Sequence, residues 1–207
     1  MISFAITTHN EGLYIKTLLD QLLPMLEDKD EIVIIDDHSH DIETVKILDE
    51  YGIKDGISLN RKHFTGDFSE HKNWLNYLCR EEYIFQLDAD EILHPNLAKY
   101  LHDIVGHNPD VDLFWVPRVN TVEGLTQDDI TKWGWQVNEK GWVMFPDFQG
   151  RLYKNTDEIR WEGKVHERIV GHATEVFLPA EEEWSILHKK EIQRQREQNR
   201  LYETITR

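Results

Sequence analysis

The sequence predicts an α/β fold, a mostly parallel sheet with helices on both faces, followed by a mixed and less regular half. Three observations predict it. Short β-prone runs alternate with helix-periodic segments as far as residue 105. The runs are nearly continuous in apolar residues, as strands buried on both faces are. Three of them also end in polar clusters: ITTHNE, IIDDHSHD and FQLDADE.

ISFAITT, residues 2–8, is the first strand, and EGLYIKTLLDQLLPMLED carries Leu18, Leu19, Leu22, Leu23 and Leu26 at helical spacing behind it. Four β-branched residues, 32–35, make the second strand. DIETVKILDEYG then supplies a helix with Ile42, Val45 and Leu48 facing inward and Gly52 at its end. ISLN, 57–60, is a third short strand, and HKNWLNYLCR places Trp74, Leu75 and Leu78 on one helix face. YIFQL, 83–87, is the next buried strand. Parallel strands need crossover connections, usually helices, so residues 1–105 read as a Rossmann-like half.

Residues 106–190 change character. VDLFWVPRVN reads as a strand, 121–149 is rich in Trp, Gly and acids, and RLYKN, IRWEGKVHERI and ATEVFLP suggest short strands and turns. The segment 121–149 is the expected functional loop, and of the aromatics Trp115, Trp133, Trp135, Trp142 and Trp161 most are expected in the core and one or two in a site. Residues 191–207 are polar without Gly or Pro and read as a closing surface helix. The whole, 1–207, is expected to be one domain.

A net charge of −16 would repel a polyanion, which argues against duplex nucleic acid and leaves a modified nucleic-acid base open as a partner. The single cysteine, Cys79, sits among apolar neighbours and fits a reducing compartment. No run approaches the roughly 18 apolar residues that span a bilayer, and no signal peptide opens the chain, so a soluble, cytoplasmic protein is expected.

In a parallel sheet, ligands bind beyond the carboxyl ends of the strands. The three polar clusters would bring Thr7, Thr8, His9, Asn10, Asp36, Asp37, Asp88 and Asp90 to one crevice. Asp88 and Asp90 repel one another unless a hard divalent cation, magnesium or manganese, lies between them. The alternative is that Asp-Ala-Asp caps a helix or turns the chain before Pro95.

In order along the chain, TTHNE, DDHS, FSEHKNW, DADE, FQGRLYKN and IRWEGKVHE resemble the family 2 glycosyltransferases, which have the GT-A fold. The second half resembles the subgroup related to lipopolysaccharide-core β-glucosyltransferases. The resemblance covers residues 2–95 and 148–168. It implies that Thr7, His9, Glu11 and Asp37 hold the nucleotide base and ribose, with His9 standing where many relatives carry Tyr. It implies that Lys72, often Arg in relatives, reaches the diphosphate, the alternative being a solvated lysine. Asp88 and Asp90 match the family's DxD, where a metal bridges protein and diphosphate. Asp88 thus counts among both nucleotide and metal residues.

For inverting transfer a base must face the acceptor hydroxyl. Glu167 of VHE is the first candidate, with His166 orienting it or taking the proton itself, and Asp147 in reserve; a surface pair of Glu167 with Arg168 is the bland alternative. GT-A enzymes often add a C-terminal His to the metal, which points to His188 unless it is structural. Lys189, Lys190, Arg194 and Arg196 either help hold the diphosphate or are simply solvated. The expected activity is a metal-dependent inverting glycosyl transfer from a nucleotide-sugar, a uridine one, to a hydroxyl of a glycan or other acceptor. Two readings stand beside it. A nucleotidyltransferase would open on a basic Gly-rich loop, which TTHNEGLY lacks, and a noncatalytic module would use the carboxylates to hold calcium.

Overall fold

The computed structural model describes residues 1–205. Strand β1 (Ile2–Thr8) lies at its centre, paired in parallel with β2 (Glu31–Asp36) on one side and β4 (Tyr83–Asp88) on the other. β3 (Ile57–Arg61) pairs in parallel with β2. Beyond β4, β8 (Gln149–Lys154) runs antiparallel to both β4 and β6 (Leu113–Val116), and β11 (Glu175–Phe177) pairs in parallel with β6. The resulting order, β3-β2-β1-β4-β8-β6-β11, is mostly parallel with one reversed strand. The order turns back between β1 and β4, so Thr7 and Asp88 face the crevice that such a reversal opens.

Helices cover both faces. On one, α1 (Leu13–Leu22) and α4 (Pro95–His107) bury Leu18, Leu19, Leu97 and Leu101 against Phe4, Ile6, Ile34 and Phe85. On the other, α3 (Phe68–Leu78) sets Leu75 against Ala5, Val33 and Ile35, beside Tyr153 and Trp161. Each large side chain so buried stabilises the fold by roughly 1.5–3 kcal/mol. α2 (Ile42–Tyr51) is capped by Asp41, which accepts from the Glu43 and Thr44 amides. Among the described residues no helix is long and apolar enough to cross a membrane.

A second, three-stranded sheet joins β5 (Glu91–Leu93), β12 (Ile186–Glu191) and β7 (Arg118–Glu123). β12 is antiparallel to β5 and parallel to β7, which sets His188 opposite both Glu91 and Asn120. The hairpin of β9 (Arg160–Glu162) and β10 (Arg168–Val170) carries Val165, His166 and Glu167 in its turn. α5 (Gln127–Trp133) and α6 (Ile192–Ile205) complete the chain.

Three sequence expectations are corrected. VDLFWVPRVN is two strands: Pro117 cannot donate to a ladder, and the chain there leaves the large sheet at Val116 and enters the small one at Arg118. The first helix stops at Leu22, because Pro24 turns the chain into a short 3-10 segment, Leu23–Met25. Ile42 opens α2 in solvent, 71% exposed, while Thr44, Ile47, Leu48 and Tyr51 form the buried face.

Gly171, just past β10, has φ +89°, and a Cβ there would lie 1.8 Å from the Glu158 carbonyl oxygen. Both a left-handed backbone and a backbone clash therefore oppose any side chain. Gly171→Ala is expected to lower unfolding stability by about 2–4 kcal/mol, read from urea denaturation; an unchanged midpoint would mean that the hairpin is not held this closely.

Candidate active site

Two cavities meet at the carboxyl ends of β1 and β4. One, of about 800 Å³, is lined by Thr7, Thr8, His9, Asn10, Glu11, Asp37 and Asp90 together with Phe64, Phe68 and His71 of the α3 approach. The other, of about 980 Å³, is lined by Trp115, Trp135, Trp161, Asp147, Phe148 and His166 from the second half. Lys72, Asp88, Glu167, Lys190, Gln198 and Tyr202 border both.

The strand ends behave unequally. Asp37 receives the Phe64 amide on Oδ1 at 2.8 Å, with His63 at 3.3 Å, while the His9 ring meets its carbonyl at 2.6 Å. Its neighbour Asp36 is buried instead, tied to the Ser39 amide, and does not line the crevice expected of it. Alternation along β2 gives the reason: consecutive side chains leave opposite faces. Asn10 takes a left-handed backbone, φ 54°, and its Oδ1 accepts the His40 and Asp41 amides, fixing the first loop onto the second. Glu11 is bonded to Arg194 of α6, so the carboxylate assigned to the nucleotide is engaged by the protein's own last helix.

Behind Asp88 lies an ionic core. Glu91, wholly buried, accepts Arg118 at 2.8 Å and Arg151 at 3.0 Å on Oε1, and the Asp88 amide at 3.0 Å on Oε2. Arg151 also reaches Asp88 Oδ2 at 2.7 Å and bonds Gln86, while Arg118 holds Asp147 through Nε and Nη2 at 2.9 and 2.7 Å. Burial alone would raise the Asp88 carboxyl, but the charges of Arg151, Lys72 and Arg118 outweigh it and hold it well below the ordinary range. Asp90 is likewise held low against burial, by His188 at 3.3 Å, Lys190 at 3.7 Å and Arg194 at 3.2 Å.

The residues fit a divalent cation in part. Asp90 Oδ2 and His188 Nε2 are 3.3 Å apart, close to the roughly 3 Å between neighbouring ligands of an octahedral ion with bonds of about 2.1 Å. Asn120 fixes the imidazole from its far side, meeting Nδ1 at 2.7 Å. Asp88 is nearby but already bonded on Oδ2. Among the described residues no group of three or more His, Cys, Asp or Glu side chains can hold a metal alone. Phosphate oxygens and water would have to complete its shell, as is usual for magnesium.

Glu167 stands at the junction, bonded through Oε1 to Lys72 Nζ at 2.6 Å, and not paired with Arg168. His166, at φ 57°, packs its ring edge-on to Tyr202 at 5.6 Å and faces the larger cavity. Asp147 lines the same cavity but is fully bonded to Arg118, Asn120 and Gln149. Of the five tryptophans singled out in the sequence, Trp115, Trp135 and Trp161 reach the larger cavity and Trp133 and Trp142 do not. Sequence reasoning missed Arg118 and Arg151, although the latter lies inside the quoted FQGRLYKN. It also left Glu91 unassigned.

The family model described as Glycosyl transferase family 2 matches residues 3–174. A protein of Sinorhizobium fredii (strain NBRC 101917 / NGR234), "Uncharacterized protein y4gI", is 27% identical over 100 residues, which are 48% of this chain and 11% of that one. Among solved structures, S. aureus TarS superposes with a TM-score of 0.64 at 15% identity, covering 91% of this chain and 36% of that chain. TarS 1-349 in complex with UDP-GlcNAc gives the same score and identity and 58% of its length, and the complex with UDP gives 0.61 at 16% identity and 60%. The chain thus spans less than two thirds of each of these proteins, and shares with TarS the GT-A fold.

Replacing Glu91 by Gln would leave two buried guanidinium groups short of one negative charge, and stability is expected to fall by about 3–5 kcal/mol in urea unfolding. A loss below about 1 kcal/mol would contradict the ionic core as described. Asp88, Asp90 and Asp147 all have folded-state values lowered from those of the unfolded chain. Their stabilisation is therefore complete above the ordinary carboxylate range and is lost as pH falls through and below about 4. Unfolding free energy measured on a descending pH series should decline from that point; a flat profile would contradict it.

Proposed function

Since the chain belongs to glycosyl transferase family 2, we propose that it moves a sugar from a nucleoside diphosphate, a uridine one, onto a hydroxyl of a glycan or other acceptor, with inversion at the sugar's C1. The observation that carries this reading is the meeting of two cavities at Asp88, Lys72 and Glu167. A reaction between two bound molecules needs such a junction. The TarS complexes named with UDP-GlcNAc and UDP, on the same fold, support uridine as the base.

In this reading the smaller cavity holds the donor. Asp37, His9 and the Phe64 and Phe68 rings surround the nucleoside, and Lys72, Lys190 and Arg194 meet the negative charge of the diphosphate. Asp90 and His188 would hold a manganese or magnesium ion, which supplies Lewis-acid stabilisation to the leaving diphosphate. The larger cavity takes the acceptor, with Trp115 and Trp135 offering flat apolar rings to a sugar face. Glu167 removes the hydroxyl proton as the acceptor oxygen bonds C1 and the C1–O bond to the diphosphate breaks. Arg118 and Arg151 line the larger cavity and orient Asp147 and Asp88.

Calorimetry with UDP and manganese, on wild type and Asp90→Ala, tests the donor site. Metal-dependent binding that the variant loses is expected; binding that ignores metal would overturn the role of Asp90, and no binding would overturn the uridine donor. With an active donor and acceptor pair found by screening, Glu167→Gln should lower kcat by about 10²–10⁴-fold while UDP still binds. A variant that turns over at the wild-type rate would shift the base to His166.

A further inference from the structure

Lys72 and Lys190 are the least committed cations at the junction, and of the two only Lys72 holds Glu167. Arg151 divides its N–H groups among Gln86, Asp88 and Glu91, Arg118 serves Glu91 and Asp147, and Arg194 serves Glu11 and Asp90. Lys190 donates to Gln198 at 2.7 Å and lies 3.7 Å from Asp90. An ammonium carries three N–H donors. Among the described residues, that of Lys72 has one hydrogen-bond acceptor, Glu167 Oε1 at 2.6 Å, and rests 4.4 Å from the centre of the Trp161 ring.

The Lys72 side chain is only 7% exposed, yet it borders both cavities. Unused donors on a buried charge are unfavourable, and an anion entering the smaller cavity would offer the missing acceptors. We propose that Glu167 and the donor's diphosphate compete for the single charge of Lys72, so that donor binding loosens the Lys72–Glu167 bond and releases Glu167 Oε1 toward the acceptor hydroxyl. This rests on the reading of the smaller cavity as the donor site and of Glu167 as the base, and adds a coupling between them.

Lys72 is then a positioning residue for the base as well as a phosphate ligand. The transfer keeps its balance: the hydroxyl proton passes to Glu167, the acceptor oxygen's electron pair forms the bond to C1, and the C1–O pair leaves with the diphosphate. Coupling is reciprocal, so whatever the diphosphate does to the Lys72–Glu167 bond, that bond does to diphosphate affinity. In the resting protein Glu167 therefore weakens donor binding.

A double-mutant cycle read by calorimetry with UDP and manganese tests this without any turnover. Glu167→Gln, nearly isosteric, should tighten UDP binding by about three- to tenfold, the scale of one partly buried ion pair. Lys72→Met should weaken binding, and adding Glu167→Gln to it should change nothing further. Lys72→Arg, which keeps the charge, should preserve the tightening. If Glu167→Gln leaves the affinity unchanged or lowers it, the coupling is overturned. Tightening of the same size in the Lys72→Met background also overturns it, because general removal of negative charge would then be the cause. Wild type that fails to bind UDP overturns the donor reading and the coupling together, whereas binding that Glu167→Gln does not move overturns the coupling alone.

Discussion

One buried carboxylate, Glu91, holds the site together. It has no exposure to solvent, and its two oxygens gather Arg118 from β7, Arg151 from β8 and the backbone of Asp88 from β4. Those strands belong to two different sheets, so a single charge fixes how the sheets meet. A buried ion pair adds little net stability over an apolar pair of equal volume, but it accepts only one geometry, and breaking it leaves an unpaired charge in a poor solvent. Here the geometry concerned is the direction of the Asp88 carboxylate, aimed by Arg151 at 2.7 Å.

The same logic orders the rest of the crevice. The protein is strongly acidic as a whole, yet its basic side chains Lys72, Arg118, Arg151, Lys190 and Arg194 converge where the two cavities meet. Each faces at least one carboxylate, so the region is dense in charge without being unbalanced. Polarity of this kind is preorganised, and a charged ligand meets fixed partners rather than solvent that must first rearrange. The net negative charge of the whole repels polyanions, while the paired cations of the crevice hold fixed positive charge inside it.

The first half was largely legible in the sequence because its strands are continuous apolar runs buried on both faces, a signal that owes little to distant contacts. β1, β2, β3 and β4 lie where the runs lie. The crevice followed from the same reading, since strand ends in a parallel sheet share an edge; only Asp36 was misplaced, by the alternation of faces within β2. The second half was less legible. β6 and β7 are joined by a single proline between two sheets, and which sheet a four-residue strand enters is decided by partners far away in the chain. For the same reason Arg118 and Arg151 were invisible as site residues: an arginine in a strand declares nothing until its carboxylates, 27 and 60 residues off, are brought to it.

The last helix shows what such distant pairing achieves. α6 is polar on nearly all sides and has almost no core of its own, yet it roofs the smaller cavity. Charged side chains help attach it: Arg194 to Glu11, 183 residues away, Arg196 to Asp129, and Lys190, just before the helix, to Gln198 within it. Individually such contacts are worth at most about 1 kcal/mol when exposed, and those of Arg194 gain from their partial burial. The charge pattern of the crevice thus positions the helix together with the Tyr202 ring, which packs edge-on against Phe68 and His166. The carboxylates of the crevice therefore also close it: Asp90, one residue before Glu91, meets His188 and Lys190 of β12 and Arg194 of α6.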